Sequence, residues 1–167
     1  YKRQVESTES PVIDIADLAA QLRADGSAFT NTDLAHDQSV QDSISAALHA
    51  GHGVAVVDDY TATAAESRNL AVDLQNGTGL DTVIVQVPSH VSAVSDSLTR
   101  AELEAVQRQI PRGIDQVELL ERFYDGIDRF DVHSVILTAF MMVLALAVAW
   151  IAFRSASKRE TRSGKMG

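Results

Sequence analysis

The sequence predicts an α/β fold, a three-layer α/β/α sandwich on a small, mostly parallel sheet, followed by one C-terminal transmembrane helix. Three observations predict it. Two short apolar runs, 54–57 (VAVV) and 82–87 (TVIVQV), have the β-branched composition of strands covered on both faces. Between them, Thr63-Ala-Ala-Glu66 is a capping box that opens a helix, so strand, helix and strand make a βαβ unit with parallel strands. The stretch 134–153, SVILTAFMMVLALAVAWIAF, has no charge, Gly or Pro over twenty residues. As a helix it is about 30 Å long, the thickness of a bilayer's hydrocarbon core.

In chain order, residues 1–11 read as a disordered lead to a domain over 12–130. Ile15, Leu18, Ala19 and Leu22 make an apolar helical stripe, with Asp14 placed to cap its start and Gly26 its end. Residues 26–33 read as a loop. A second helix is expected over 34–50, with Val40, Ile44, Ala47 and Leu48 on one face. Gly51 and Gly53 then turn the chain into the first strand. The helix opened by Thr63 runs to about Gln75, and Asn76-Gly77-Thr78-Gly79 ends it before the second strand. Pro88 cannot donate to a ladder and stops that strand. Residues 91–96 form a weaker third strand nearer an edge. Thr99-Arg-Ala-Glu102 is a second capping box, opening a helix with Leu103, Val106 and Ile110 that Pro111 stops. A last helix, 114–127, carries Ile114, Val117, Leu120, Tyr124 and Ile127 on its apolar side. Helices before, between and after parallel strands need both faces of the sheet.

Charge orients the apolar stretch. The tail 154–167 holds Arg154, Lys158, Arg159, Arg162 and Lys165 against Glu160, whereas residues 1–133 hold nine basic and twenty-two acidic side chains, a net −13. Basic residues beside a span stay cytoplasmic. A single-pass protein of the cell membrane is therefore expected, with the acidic N-terminal domain extracytoplasmic and the basic tail cytoplasmic. The opening YKRQVESTES has no apolar core of a signal peptide, so the span itself is expected to serve for export. Ala145, Ala149, Ala152 and Ala156 repeat at helical spacing and form a candidate face for a partner helix. Trp150 and His133 fall near the two ends of the span, at headgroup level.

The same inventory excludes function classes. With no cysteine there is no disulfide, thiolate zinc site or thiol catalysis. No GxSxG, Walker A, GxGxxG or HExxH occurs, and the five histidines are scattered. His49 and His52 flank a helix end, where a cation is favoured. An acidic domain is a poor partner for nucleic acid, whose binding comes from cations on phosphates. One chemical alternative stays open. Ligands of open α/β sheets bind beyond the carboxyl ends of strands. Asp58 and Asp59, Ser89 and His90, and Asp96 would stand there, and three carboxylates could hold calcium or another hard divalent cation. Turn chemistry explains the same acids without a metal.

The segments ALHAGHGVAVVDDY (47–60), NLAVDLQNGTGLDTVIVQVPS (69–89) and LTRAELEAVQ (98–107) resemble the TPM-type domain. That domain is a small α/β/α module usually tethered by one transmembrane helix. Over Asp14 to Phe153 the layout resembles a family of single-pass membrane proteins from mycobacteria and corynebacteria, in which a degenerate TPM-like domain precedes a C-terminal span and the gene often neighbours NlpC-type peptidoglycan endopeptidases. The resemblance implies an envelope location. Some TPM domains are weak acid phosphatases with calcium held by acids at strand ends, but the usual Asp-Asn-Gly turn before the second strand is here only Asp81-Thr82. The expected function is a non-catalytic, membrane-anchored accessory or regulatory interaction module of the actinobacterial cell envelope, without a cofactor. Its protein partner would be a peptidoglycan-remodelling enzyme or a larger integral membrane complex. A divalent-metal phosphatase and a passive structural subunit of a membrane complex are the alternatives.

Overall fold

The computed structural model describes residues 13–58 and 62–163, with side chains described over 13–58, 62–130 and 140–150. The expected lead 1–11 lies outside the described residues. Helix α1, Ile15–Asp25, starts where the Asp14 carboxylate accepts the Asp17 amide at 3.0 Å. It stops at Gly26, whose φ of 72° turns the backbone left-handed and lets its amide donate to Leu22. The chain passes at once into a strand, β1, Ser27–Phe29, buried at all three residues. The loop expected over 26–33 is thus corrected. A three-residue strand is too short to show a period, and the tight glycine turn leaves no loop before it.

The single helix expected over 34–50 is two, α2 (Thr32–Ala35) and α3 (Gln38–Ala47). Asn31 caps the first. The Asp37 carboxylate interrupts by accepting the Ser39 and Val40 amides, which makes it the cap of the second. Strand β2 is His52–Val56, and α4 is Ala64–Thr78, opened by the capping box of Thr63 and Glu66. Strand β3 is Thr82–Val87, and β4 is His90–Ser95. Helix α5, Arg100–Gln107, opens on the second capping box. Helix α6 runs Gln116–Ser163, with Asp115 accepting the Val117 amide at its start.

The sheet order is β1-β2-β3-β4, the first two pairings parallel and β3–β4 antiparallel. Side chains alternate across it. Ala28, Ala55, Val57, Val83, Val85, Val87 and Val94 share one cluster with Leu18, Ala19 and Leu22 of α1 and Leu70, Ala71 and Leu74 of α4. The opposite positions, Phe29, Val54, Val56, Ile84 and Ala93, are equally buried. On that side Gln107 of α5 donates to the Ala93 carbonyl, and Gln86 donates to the Ile114 carbonyl just before α6. Leu103, Val106, Leu119, Leu120 and Phe123 supply buried apolar surface there. The chain falls into two compact units, one through Ile127 and one from Asp128.

Gly53 in β2 sits where α1 comes closest to the sheet. A Cβ there would lie 2.7 Å from Leu80 Cδ1, 3.0 Å from Leu22 Cδ2 and 3.3 Å from the Gly26 carbonyl. Gly53→Ala is therefore expected to destabilise the domain by about 1–3 kcal/mol through overpacking, read as a lower melting temperature. An unchanged melting temperature would show that the contact is soft.

Candidate functional site

Polar side chains gather at the two ends of the sheet. At the carboxyl ends of β1–β3, the Asp58 amide donates to Thr30 Oγ1 at 3.1 Å while the Asp58 side chain faces solvent. Ser89 Oγ lies 2.8 Å from His90 Nδ1, and His90 Nε2 lies 2.9 Å from Ser67 Oγ. Ser67 already donates its hydroxyl to the Thr63 carbonyl, so it accepts from Nε2, and Nδ1 accepts from Ser89. No carboxylate is bonded to His90 among the described residues.

Asp96 does not join this end. Because β4 runs antiparallel to β3, its last residues return to the start of β3, where the Asp96 amide donates to the Asp81 carbonyl at 3.0 Å. A six-residue strand, roughly 20 Å, separates Asp96 from Asp58. The expected approach of Asp96 to Asp58 is corrected accordingly. Asp59 itself lies outside the described residues. Among the described residues no group of three His, Cys, Asp or Glu could hold a metal. The described side chains do not by themselves make up a calcium site, which takes six or more oxygens.

The opposite end is more tightly built. Parallel pairing sets His52 of β2 beside Thr82 of β3, and so beside Asp81. Asp81 Oδ2 accepts from Ser97 Oγ at 2.6 Å, Thr82 Oγ1 at 2.9 Å and Ser95 Oγ at 3.4 Å. The Ser97 hydrogen bond is the largest influence holding its carboxyl below the ordinary 3.8. His52 Nε2 is 3.9 Å from the same oxygen. Tyr124 OH accepts the His49 amide at 3.1 Å and lies 3.2 Å from His52 Nδ1. The His49 ring stacks on Tyr124 with centroids 3.6 Å apart.

Burial is the main force on His52 and holds its pKa below the ordinary 6.5. Asp81 raises it and His49 lowers it further, and burial prevails. His52 is thus neutral near neutral pH and its approach to Asp81 is not an ion pair. Desolvation thus works against the cation expected at this helix end. The cluster fastens α6 to the sheet and to the chain after α3. Sequence inspection missed it, although the signal was present, since parallel strands align the residues that precede them.

Two outcomes follow. Tyr124→Phe is expected to cost about 1–2 kcal/mol, because the His49 amide loses its acceptor. The unfolded chain takes up the His52 proton more readily than the folded one. The stability this contributes is present above about pH 6.5 and is lost as pH falls through the lower folded pKa. Melting temperature should drop between about pH 7 and 5, and His52→Gln should flatten that drop; an equal drop in the variant would contradict the assignment.

In the second unit, the expected span 134–153 lies within α6, with side chains described for 140–150. All eleven of these are exposed, including Phe140, Met141, Met142, Val143, Leu144, Leu146, Val148 and Trp150 at 45–66%. Among the described residues no helix is long and apolar enough to cross a membrane. Ala145 and Ala149 are exposed. The side chains of Ala152 and Ala156, of His133, and of Arg154, Lys158, Arg159, Arg162 and Lys165 lie outside the described residues.

The chain matches no curated relative and no solved structure. A family model does match, over residues 8–165, nearly the whole length and both units. The chain belongs to the family described as membrane protein Rv1476.

Proposed function

We propose that the protein is a single-pass membrane protein of the cell envelope, with a TPM-like domain outside the cytoplasm, a crossing at 134–153 and a basic tail inside. The observation that carries this is the run of exposed apolar residues 140–150 in α6. At 100° per residue, eleven residues face every direction around a helix, so no polar side is left for water. Each square ångström of that surface left in water forgoes about 25 cal/mol, and lipid recovers it around the whole circumference. The sequence flanking these residues extends the apolar stretch to twenty, and the net charge of +4 after it assigns the inside.

The domain's role is that of a non-catalytic accessory or regulatory module that binds a protein partner, a peptidoglycan-remodelling enzyme or a larger membrane complex. In support, the histidine pair and Asp81 are occupied in tying elements together, and His90 is paired to two serines. The metal-dependent alternative is set aside because Asp58 and Asp96 stand at opposite ends of the sheet.

Topology is testable because the chain has no cysteine of its own. A single cysteine at the exposed Asp73 should react with an impermeant maleimide in intact cells, whereas one at Lys165 should react only after lysis. The reverse pattern would place the domain in the cytoplasm and end the proposal. Calcium at about millimolar concentration should leave the melting temperature unchanged; a rise would return the metal site to consideration.

A further inference from the structure

His52 stands between two elements. Its Nδ1 lies 3.2 Å from the Tyr124 hydroxyl of α6, and its Nε2 lies 3.9 Å from Asp81 Oδ2, just before β3. Among the described residues, the titratable groups that bear on the ring are Asp81, His49 from the chain after α3, and Tyr124. An ionised carboxylate only accepts hydrogen bonds, so the nitrogen facing it carries the hydrogen and Nδ1 accepts from Tyr124. The Tyr124 oxygen in turn accepts the His49 amide at 3.1 Å. This chain of hydrogen bonds ends on one lone pair, that of Nδ1.

A proton on His52 removes that lone pair. Both ring nitrogens then donate, and the Tyr124 hydroxyl hydrogen loses its acceptor. At the other end the charged Nε2–H meets the opposite charge of Asp81, whose Oδ2 is held in place by the Ser97, Thr82 and Ser95 hydroxyls. The charge therefore draws the ring toward β3 and away from α6. Leu119, Leu120 and Phe123, earlier on α6, are fully buried, whereas Asp125 is exposed and Ile127 half-buried, and the compact unit ends at Ile127. Three buried apolar side chains outweigh one hydrogen bond severalfold, so the start of α6 stays docked. What the proton loosens is the last packed turn, 124–127.

We propose that His52 and Tyr124 form a proton-operated latch, in which a protonated His52 exchanges Tyr124 for Asp81 and frees the last packed turn of α6 while the rest of the domain stays folded. Burial favours the neutral ring, so the released form takes up the proton more readily, and acid favours release. Histidine is the side chain whose charge changes in this range of pH. Helix α6 continues to Ser163 without a break, so the latch sets how firmly the domain holds the helix that carries 134–153. The latch is a regulatory device of the fold. It depends neither on the interaction role above nor on topology, so either can fail alone.

The test uses the full chain in uncharged detergent micelles, with spin labels on two introduced cysteines and distances read by pulsed electron paramagnetic resonance. One label replaces the exposed Asp73 of α4 and the other the exposed Asp125 of α6. A single distance is expected at about pH 7.5, and a second component, about tenfold more populated and reversible, at about pH 5.5. A control pair at Asp73 and the exposed Ala101 should keep one distance throughout. Tyr124→Phe should show the second component already at about pH 7.5, and His52→Gln should keep the single distance in acid. Distances between Asp73 and Asp125 that ignore pH would overturn the proposal. So would a second component in both pairs, which is loosening of the whole domain, or an undiminished acid response in His52→Gln. A Tyr124→Phe chain that matches the unaltered one at neutral pH would equally end it.

Discussion

β3 is buried at all six of its residues, and that burial must be met on two faces and along two edges. One face takes α1 and α4, and the other takes α5 and the start of α6. One edge takes β2 in parallel and the other β4 antiparallel. The one polar side chain on β3 with a long reach, Gln86, is satisfied by the Ile114 carbonyl and the Gln116 amide. A buried amide left unpaired would cost roughly 1–3 kcal/mol, so this contact fixes where the last helix begins.

The direction of β4 has the widest consequences. Running back along β3, it carries Asp96 away from Asp58 and sets Ser95 and Ser97 around the Asp81 carboxylate. It also sets β4 between α4 and α5, whose arginines line one groove. A parallel fourth strand would have left Asp96 with Asp58. The parting of Asp96 from Asp58 is thus set by one turn, Pro88-Ser89.

Signals that sit within four residues were legible in the sequence. Thr63 with Glu66 and Thr99 with Glu102 close both capping boxes, TVIVQV is a strand, and the VAVV run falls in a strand that starts two residues earlier and ends at Val56. Signals that depend on partners were not. β1 has three residues and owes its strand state to pairing with β2. The reversal at Pro88-Ser89 lacks the Asn-Gly chemistry that marks a two-residue hairpin. Arg68, Arg100, Arg108 and Arg112 follow no period and meet only because α4 and α5 flank the same strand. His52, Asp81 and Tyr124 are far apart in sequence and meet through strand register and helix docking.

The central claim is that residues 134–153 of α6 lie in lipid. Spin labels on single cysteines along 140–150, in the full chain reconstituted in bilayers, test it through access to oxygen and to a water-soluble nickel complex. The account predicts that preference for oxygen peaks near Val143 and falls toward Trp150. Nickel reaching Val143 as readily as it reaches a label at the exposed Asp73 would contradict it.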